Sequence, residues 1–192
     1  MSFYSLYSVN KLTSTGGLFG NQIQHLPQLT KSSVYKTKSG ASIVNFHKTT
    51  YSLKKALNLI TKIVSKKGFI LIYMDTSSNL NQLTRYTQTN WHGGYLSNYR
   101  KSKHSKRFPS FLAILSKKKK IQELIARETK QKDVPSCSIL PTTMSPYNVT
   151  YPIFLNFDSV DVKKINHQIF NKAVVYGILQ EIFRIKKRKR TS

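Results

Sequence analysis

Acidic residues are scarce in this chain. Seven Asp and Glu stand against 32 Lys and Arg in 192 residues, a formal net charge of +25. None of the acids precedes Asp75, although ten Lys do. Internal ion pairing therefore cannot neutralise the surplus, and self-repulsion works against compactness unless a polyanion offsets it. Cysteine is nearly absent. The one present, Cys137, excludes an intrachain disulfide and a multi-cysteine zinc site, and its apolar neighbours mark it as a small core residue. No apolar run approaches the ~18 residues that a membrane-spanning helix requires.

Catalytic patterns are also missing. The five histidines, His25, His47, His92, His104 and His167, share no ligand-like spacing. The serine-rich stretches contain no G-x-S-x-G elbow. Gly16-Gly17-Leu18-Phe19-Gly20 is not G-x-G-x-x-G and follows no strand, so it reads as a turn and not as a phosphate cradle. Asp75-Thr76-Ser77-Ser78 follows a buried strand and opens a helix, where doubly wound sheets bind ligands. It is the one place for an enzymatic alternative, an RNA-modifying or nucleotide-binding activity. Its lack of glycine favours an ordinary strand-to-helix turn.

The N-terminus has one Lys in its first thirty residues and no Arg before Arg85, unlike an Arg-rich transit peptide. The sequence begins at Met1, and the expectation is that no leader has been removed. Lys outnumbers Arg 25 to 7, and Asn, Ile, Tyr and Phe are plentiful, as AT-rich codons would give. An organelle-borne or otherwise AT-rich gene is the expected source.

What is present is a foldable pattern, since 39% of the chain is hydrophobic. Residues 1–40 read as a loop-rich arm with a short helix near Phe3–Leu12, residues 41–185 as one α/β domain, and residues 186–192 as a basic tail. Ser42–Phe46 predicts a strand. A helix capped by Thr49 or Thr50 follows, with Leu53, Ala56, Leu57, Ile60, Ile63 and Val64 on one face and Gly68 as its stop. Phe69–Met74 predicts a strand buried on both faces, which would complete a βαβ unit. Ser77–Tyr86 predicts a weak helix and Arg85–Trp91 a short strand. Phe111–Leu115 predicts a strand, followed by a Ser116-capped helix bearing Ile121, Leu124 and Ile125. Ser136–Leu140 predicts a strand and Tyr151–Phe157 an extended segment. An Asp158-capped helix carries Val162, Ile165, Ile169, Ala173, Tyr176 and Phe183. The alternation predicts a mostly parallel sheet with helices on both faces.

Basic clusters carry the functional signal. Arg100, Lys101, Lys103, Lys106 and Arg107 fall in one connection. Lys186, Lys187, Arg188, Lys189 and Arg190 end the last helix, and Lys31, Lys36 and Lys38 flank Tyr35 in the arm. A folded domain with this much unpaired charge points to RNA contact at these clusters. A free-standing single-strand binder would need exposed stacking aromatics, whereas most aromatics here fall on faces that read as buried.

Trp91-His92-Gly93-Gly94-Tyr95-Leu96-Ser97-Asn98 is the densest motif. It resembles the W-x-G-G-x-L-[TS]-N block of the bacterial-type family of the second small-subunit ribosomal protein. Further blocks agree in order: Ile43–Thr49, then Val134-Pro135, Thr142, Pro146 and Tyr151-Pro152-Ile153, then Asn156-x-Asp158-Ser159. Gly17-Leu18-Phe19-Gly20 resembles the family's G-x-x-F-G-H more weakly, with Asn21 in place of His. Pro141 stands for the family's Asp, and Phe154-Leu155 replaces its Pro-Gly. Between Asn98 and Phe108 there is no room for its long helical hairpin.

The resemblance implies a three-layer, flavodoxin-like α/β fold and a non-enzymatic role, without metal, cofactor, small-molecule substrate or membrane contact. It also implies small-subunit rRNA and neighbouring ribosomal proteins as partners, at a position between head and body. Eukaryotic cytosolic relatives end in long acidic tails, so the basic end Lys186–Arg190, with the AT bias and Met1, favours a mitochondrial ribosome, and the missing hairpin favours it over a plastid one.

Overall fold

The computed structural model describes residues 9–22, 26–74, 87–88, 91–98 and 108–191. The expected helix over Ser77–Tyr86 and the loop Asp75–Ser78 lie outside them.

The largest element is a five-stranded, wholly parallel sheet. It comprises β4 (Ile70–Met74), β5 (Thr87–Gln88), β6 (Phe111–Leu115), β7 (Ser136–Leu140) and β8 (Tyr151–Phe154), in the order β5-β4-β6-β7-β8. Renumbered from its first strand this is 2-1-3-4-5, the flavodoxin-like doubly wound order, whose reversal point lies between β4 and β6. Every residue of β4, β6 and β7 is buried. That is why β4 and β6 appear in the sequence as unbroken apolar runs and not as alternations, while β7 buries Ser136 and Ser138 among its apolar residues.

Strand alternation sorts these side chains onto two faces. Ile70, Ile72, Met74, Phe111, Ala113, Leu115, Cys137 and Ile139 face α2 (Phe46–Ser65) and α4 (Val160–Thr191). Leu71, Tyr73, Leu112 and Ile114 face α3 (Lys119–Gln131) and Trp91. The expected three layers are thus present. Burial pushes the Cys137 thiol well above the ordinary thiol range, so it is an inert core group.

A second, antiparallel sheet joins β1 (Phe19–Gln22), β3 (Ala41–Val44) and β2 (Val34–Lys38), in that order, with a 3-10 turn at Gln28–Ser33 and α1 at Val9–Ser14. The expected βαβ unit does not form, because β3 pairs with β1 and β2 and not with the parallel sheet. Leu12 and Leu18 are buried in the main core.

Several helix boundaries differ from expectation for local reasons. The α2 cap is Asn45, whose side chain accepts from the Lys48 N–H at 3.2 Å. Thr49 instead lies inside the helix, its hydroxyl donating to the Phe154 carbonyl. The left-handed residue that ends α2 is Lys67, at φ +63°, and the Gly68 N–H returns to the Ile63 carbonyl at 2.8 Å. Gly68 is needed for space, since a Cβ there would meet Ile63 Cγ2 at 2.5 Å.

Asp133, at φ +53°, ends α3 in the same way, with Val134 N–H on the Thr129 carbonyl. Ser116 lies ahead of α3 and makes a turn, accepting from Lys118 N–H. The buried polar positions of α3 are Gln122, Glu128 and Thr129, while Leu124 is exposed. Among the described residues the Asp158 side chain makes no capping hydrogen bond. Its own N–H donates to Asn156 Oδ1. Strand β8 stops at Phe154, and Tyr176 and Phe183 on α4 face outward.

Candidate functional site

The Trp-Gly-Gly block folds as a tight turn over the α3 face of the sheet. Trp91 is buried, its ring edge-on to Tyr73 at 5.9 Å and 84° and tilted over Tyr95 at 4.6 Å. Gly94 takes φ +81°, which an L-residue resists, and the Asn98 N–H closes the turn on the Gly94 carbonyl at 2.8 Å. Glu128, buried on α3, accepts the N–H of Gly94 at 2.7 Å through one carboxylate oxygen and that of Leu96 at 2.9 Å through the other. Two charge-assisted bonds thus clamp the motif backbone to the helix. Leu96 is buried beside it, whereas Gly93, Ser97 and Asn98 are on the surface. Sequence reasoning missed Glu128. Its signal was a lone acid at a position where α3 turns its buried face to the sheet.

The other motif residues pin the small sheet to the C-terminal ends of β7 and β8. The Asn21 N–H donates to Thr142 Oγ1 at 2.9 Å, and the Ser42 hydroxyl donates to the Asn21 carbonyl at 2.8 Å. The Asn156 N–H bonds the Gly17 carbonyl at 2.9 Å, and its side-chain amide reaches the Gly16 carbonyl. Asp158 is exposed and Ser159 half-buried at the start of α4.

Gly20 sits where these strands cross. A Cβ there would collide with Ser42 Oγ and stand 2.7 Å from Thr142 Cγ2. Gly20→Ala is therefore expected to cost about 1–3 kcal/mol by overpacking, read as a lower denaturant midpoint with an unchanged slope. A variant as stable as the parent would show that this crossing is slack.

The cations are distributed over the outer surfaces. Lys31, Lys36 and Lys38 are exposed on the small sheet, with Lys36 Nζ 5.9 Å from the centre of the exposed Tyr35 ring. Lys186 is exposed near the end of α4, and the helix continues through Lys187, Arg188, Lys189 and Arg190 to Thr191. Because α4 runs back from the end of β8, this tail lies at the opposite end of the sheet from the small sheet. Arg100, Lys101, Lys103, Lys106 and Arg107 lie outside the described residues.

One further basic face escaped the sequence reading. Helix α2 has no acidic residue, and Lys48, Tyr51, Lys55 and Lys62 are exposed along it, with Lys55 Nζ 4.3 Å from the Tyr51 ring centre. A groove beside Gly93 and Gly94 is bordered by both signs of charge, Lys120 and Arg127 with Glu123 and Glu128. Among the described residues one ion pair forms, Lys67 with Glu181 at 3.7 Å. The same residues contain no cluster of three or more metal-ligating side chains and no helix long and apolar enough to cross a membrane.

These features define a basic α/β scaffold whose motif residues hold backbone against backbone, with no catalytic constellation built from them. The family model for ribosomal protein S2 matches residues 12–107 and 74–177. The chain belongs to the ribosomal protein S2 family. It is 19% identical to small ribosomal subunit protein uS2 of Treponema pallidum (strain Nichols) over 224 aligned residues, covering 89% of this chain and 76% of that one. With uS2 of Fusobacterium nucleatum it shares 20%, covering 90% and 91%. With uS2m of Marchantia polymorpha it shares 28% over 119 residues, covering 57% and 49%. The two bacterial alignments, at 224 and 225 residues, exceed the 192 residues of the chain, so those relatives carry segments that this chain lacks. As a small-subunit ribosomal protein, its role in translation is structural.

Proposed function

We propose that the chain is an rRNA-binding constituent of the mitochondrial small ribosomal subunit, seated between head and body. The observation that carries this reading is a folded, pinned scaffold whose 32 cations face seven acids, with a single ion pair among the described residues. Charge of that sign on the outer faces suits a phosphate backbone, and scaffolding requires no catalytic group. The mitochondrial assignment is supported by the Lys-heavy, AT-biased composition and by the likeness to uS2m of Marchantia polymorpha. The test is a sucrose gradient of organelle lysate, in which the chain should co-sediment with the mitochondrial small subunit. Recovery as a free monomer at moderate salt would reject the reading.

The contact surface comprises the small-sheet cations Lys31, Lys36 and Lys38, the α4 tail and the Arg100–Arg107 connection. That connection has Asn98 and Phe108 on its flanks, where other family members place their hairpin. Neutralising Arg100, Lys101, Lys103, Lys106 and Arg107 together should flatten the salt dependence of rRNA binding. The expected change is roughly 0.7–0.9 in slope for each phosphate that the chain no longer neutralises, with the unfolding midpoint unchanged. An unaltered slope would mark the connection as merely solvated.

A further inference from the structure

Helix α4 is apolar on two opposite faces. In its first half Val162, Ile165, Ile169, Phe170, Ala173 and Val174 are buried against the sheet and α2. That packing continues at Gly177, where a Cβ would stand 2.8 Å from Val64 Cβ and 3.0 Å from the Thr61 carbonyl oxygen. On the far side Val175, Leu179, Ile182 and Phe183 are 42%, 45%, 44% and 69% exposed. At 3.6 residues per turn these four fall within an arc of about 100°, turned away from Gly177. A surface helix ordinarily presents polar side chains there, and a helix apolar all round belongs in an interior.

Charge narrows what can cover this stripe. Lys172 lies about one turn before it and Lys186 about one turn after it on the same line, both exposed. No acid falls on the arc, since Glu181 points inward to Lys67. Nucleic-acid interfaces are polar and strongly charged, and a phosphate backbone offers no apolar surface to match three successive turns of Val, Leu, Ile and Phe. A protein surface with an apolar centre and carboxylates at its rim matches both the stripe and its flanking cations.

We propose that the outward face of α4, from Val175 to Phe183, docks against an apolar, acid-rimmed surface of a neighbouring protein in the small subunit. This rests on the ribosomal reading but concerns a different surface from the one that meets RNA.

A photo-crosslinking residue at position 179 or 183, in the chain assembled into the subunit, should capture a protein through a peptide containing Asp or Glu. The paired substitution Leu179→Ser with Phe183→Ser should leave the unfolding midpoint of the free chain unchanged. It should also lower incorporation into the subunit, in competition with the parent chain, by about tenfold or more, as expected when interface anchors are removed. Crosslinks to rRNA, to lipid or to a second copy of this chain would overturn the proposal, as would undiminished incorporation. If the parent chain itself fails to co-sediment, the ribosomal reading falls as well. A parent that co-sediments without a protein crosslink from α4 rejects this inference alone.

Discussion

Trp91→Ala is expected to destabilise the fold by about 3–5 kcal/mol, the range for a buried aromatic cut back to a methyl group. The indole fills the space between Tyr73 on the central strand and Tyr95 on the turn. Leu71, Leu112, Ile114 and Ile125 belong to the same cluster, so the vacated volume opens into the core on the α3 face of the parallel sheet. Its Nε1 is buried without a hydrogen-bond partner among the described residues, so the residue acts through packing and not through a polar bond. Denaturant titration followed by circular dichroism gives the measurement, because the variant lacks the chain's one Trp. An unchanged midpoint with weakened RNA affinity would mean that Trp91 is an exposed stacking residue, contrary to its burial.

Glu128→Ala should be comparably severe, at about 3–5 kcal/mol. Hydrogen bonds to a charged group contribute roughly 1.5–3 kcal/mol each, and removing the carboxylate strands two N–H donors. These belong to Gly94 and to the buried Leu96, and both sit in a backbone that only Gly94 allows to turn so sharply. Glu128→Gln keeps one acceptor and should show about half the destabilisation. Trp91 emission would report the released turn directly, shifting to the red as water reaches the ring. Both substitutions act on one turn, so the combined effect of Trp91→Ala and Glu128→Ala should fall short of the sum. Parent-like stability in both the Ala and Gln variants would show that the clamp contributes little.

The parallel sheet was legible in the sequence because its strands are buried on both sides. Phe111–Leu115 and Ser136–Leu140 stand where they were expected, and Ile70–Met74 begins one residue later than expected. The small sheet was much less legible. Its strands carry Gly20, Lys36 and Lys38, and their exposure removes the apolar signal. The caps failed for a related reason. Thr49 and Thr50 satisfy the cap pattern, but so does Asn45, and only the register of β3 decides which residue stands at the helix start.

Tyr176 and Phe183 continue the helical spacing of the buried positions, but the packing on α2 turns inward through Gly177 and leaves them outside. The family blocks located the motif residues without giving their task. Their work is to hold backbone segments together, and the partner of the most distinctive block, Glu128, lies 30 or more residues away in an unremarkable stretch.

The bonds that pin the small sheet to the parallel one are long in sequence, joining Asn21 to Thr142 across 121 residues and Gly17 to Asn156. Proteins are made from the N-terminus, so β1 can meet β3 early but waits for Thr142 and Asn156 before its remaining donors and acceptors are met. Until the segment up to residue 156 is free to fold, residues 16–21 can pair with β3 but cannot dock on the parallel sheet. A chain truncated before that point cannot complete the fold even though most of its core residues are present. Docking of the small sheet on the parallel one is therefore a late step of folding, set by the emergence of the segment that follows β8.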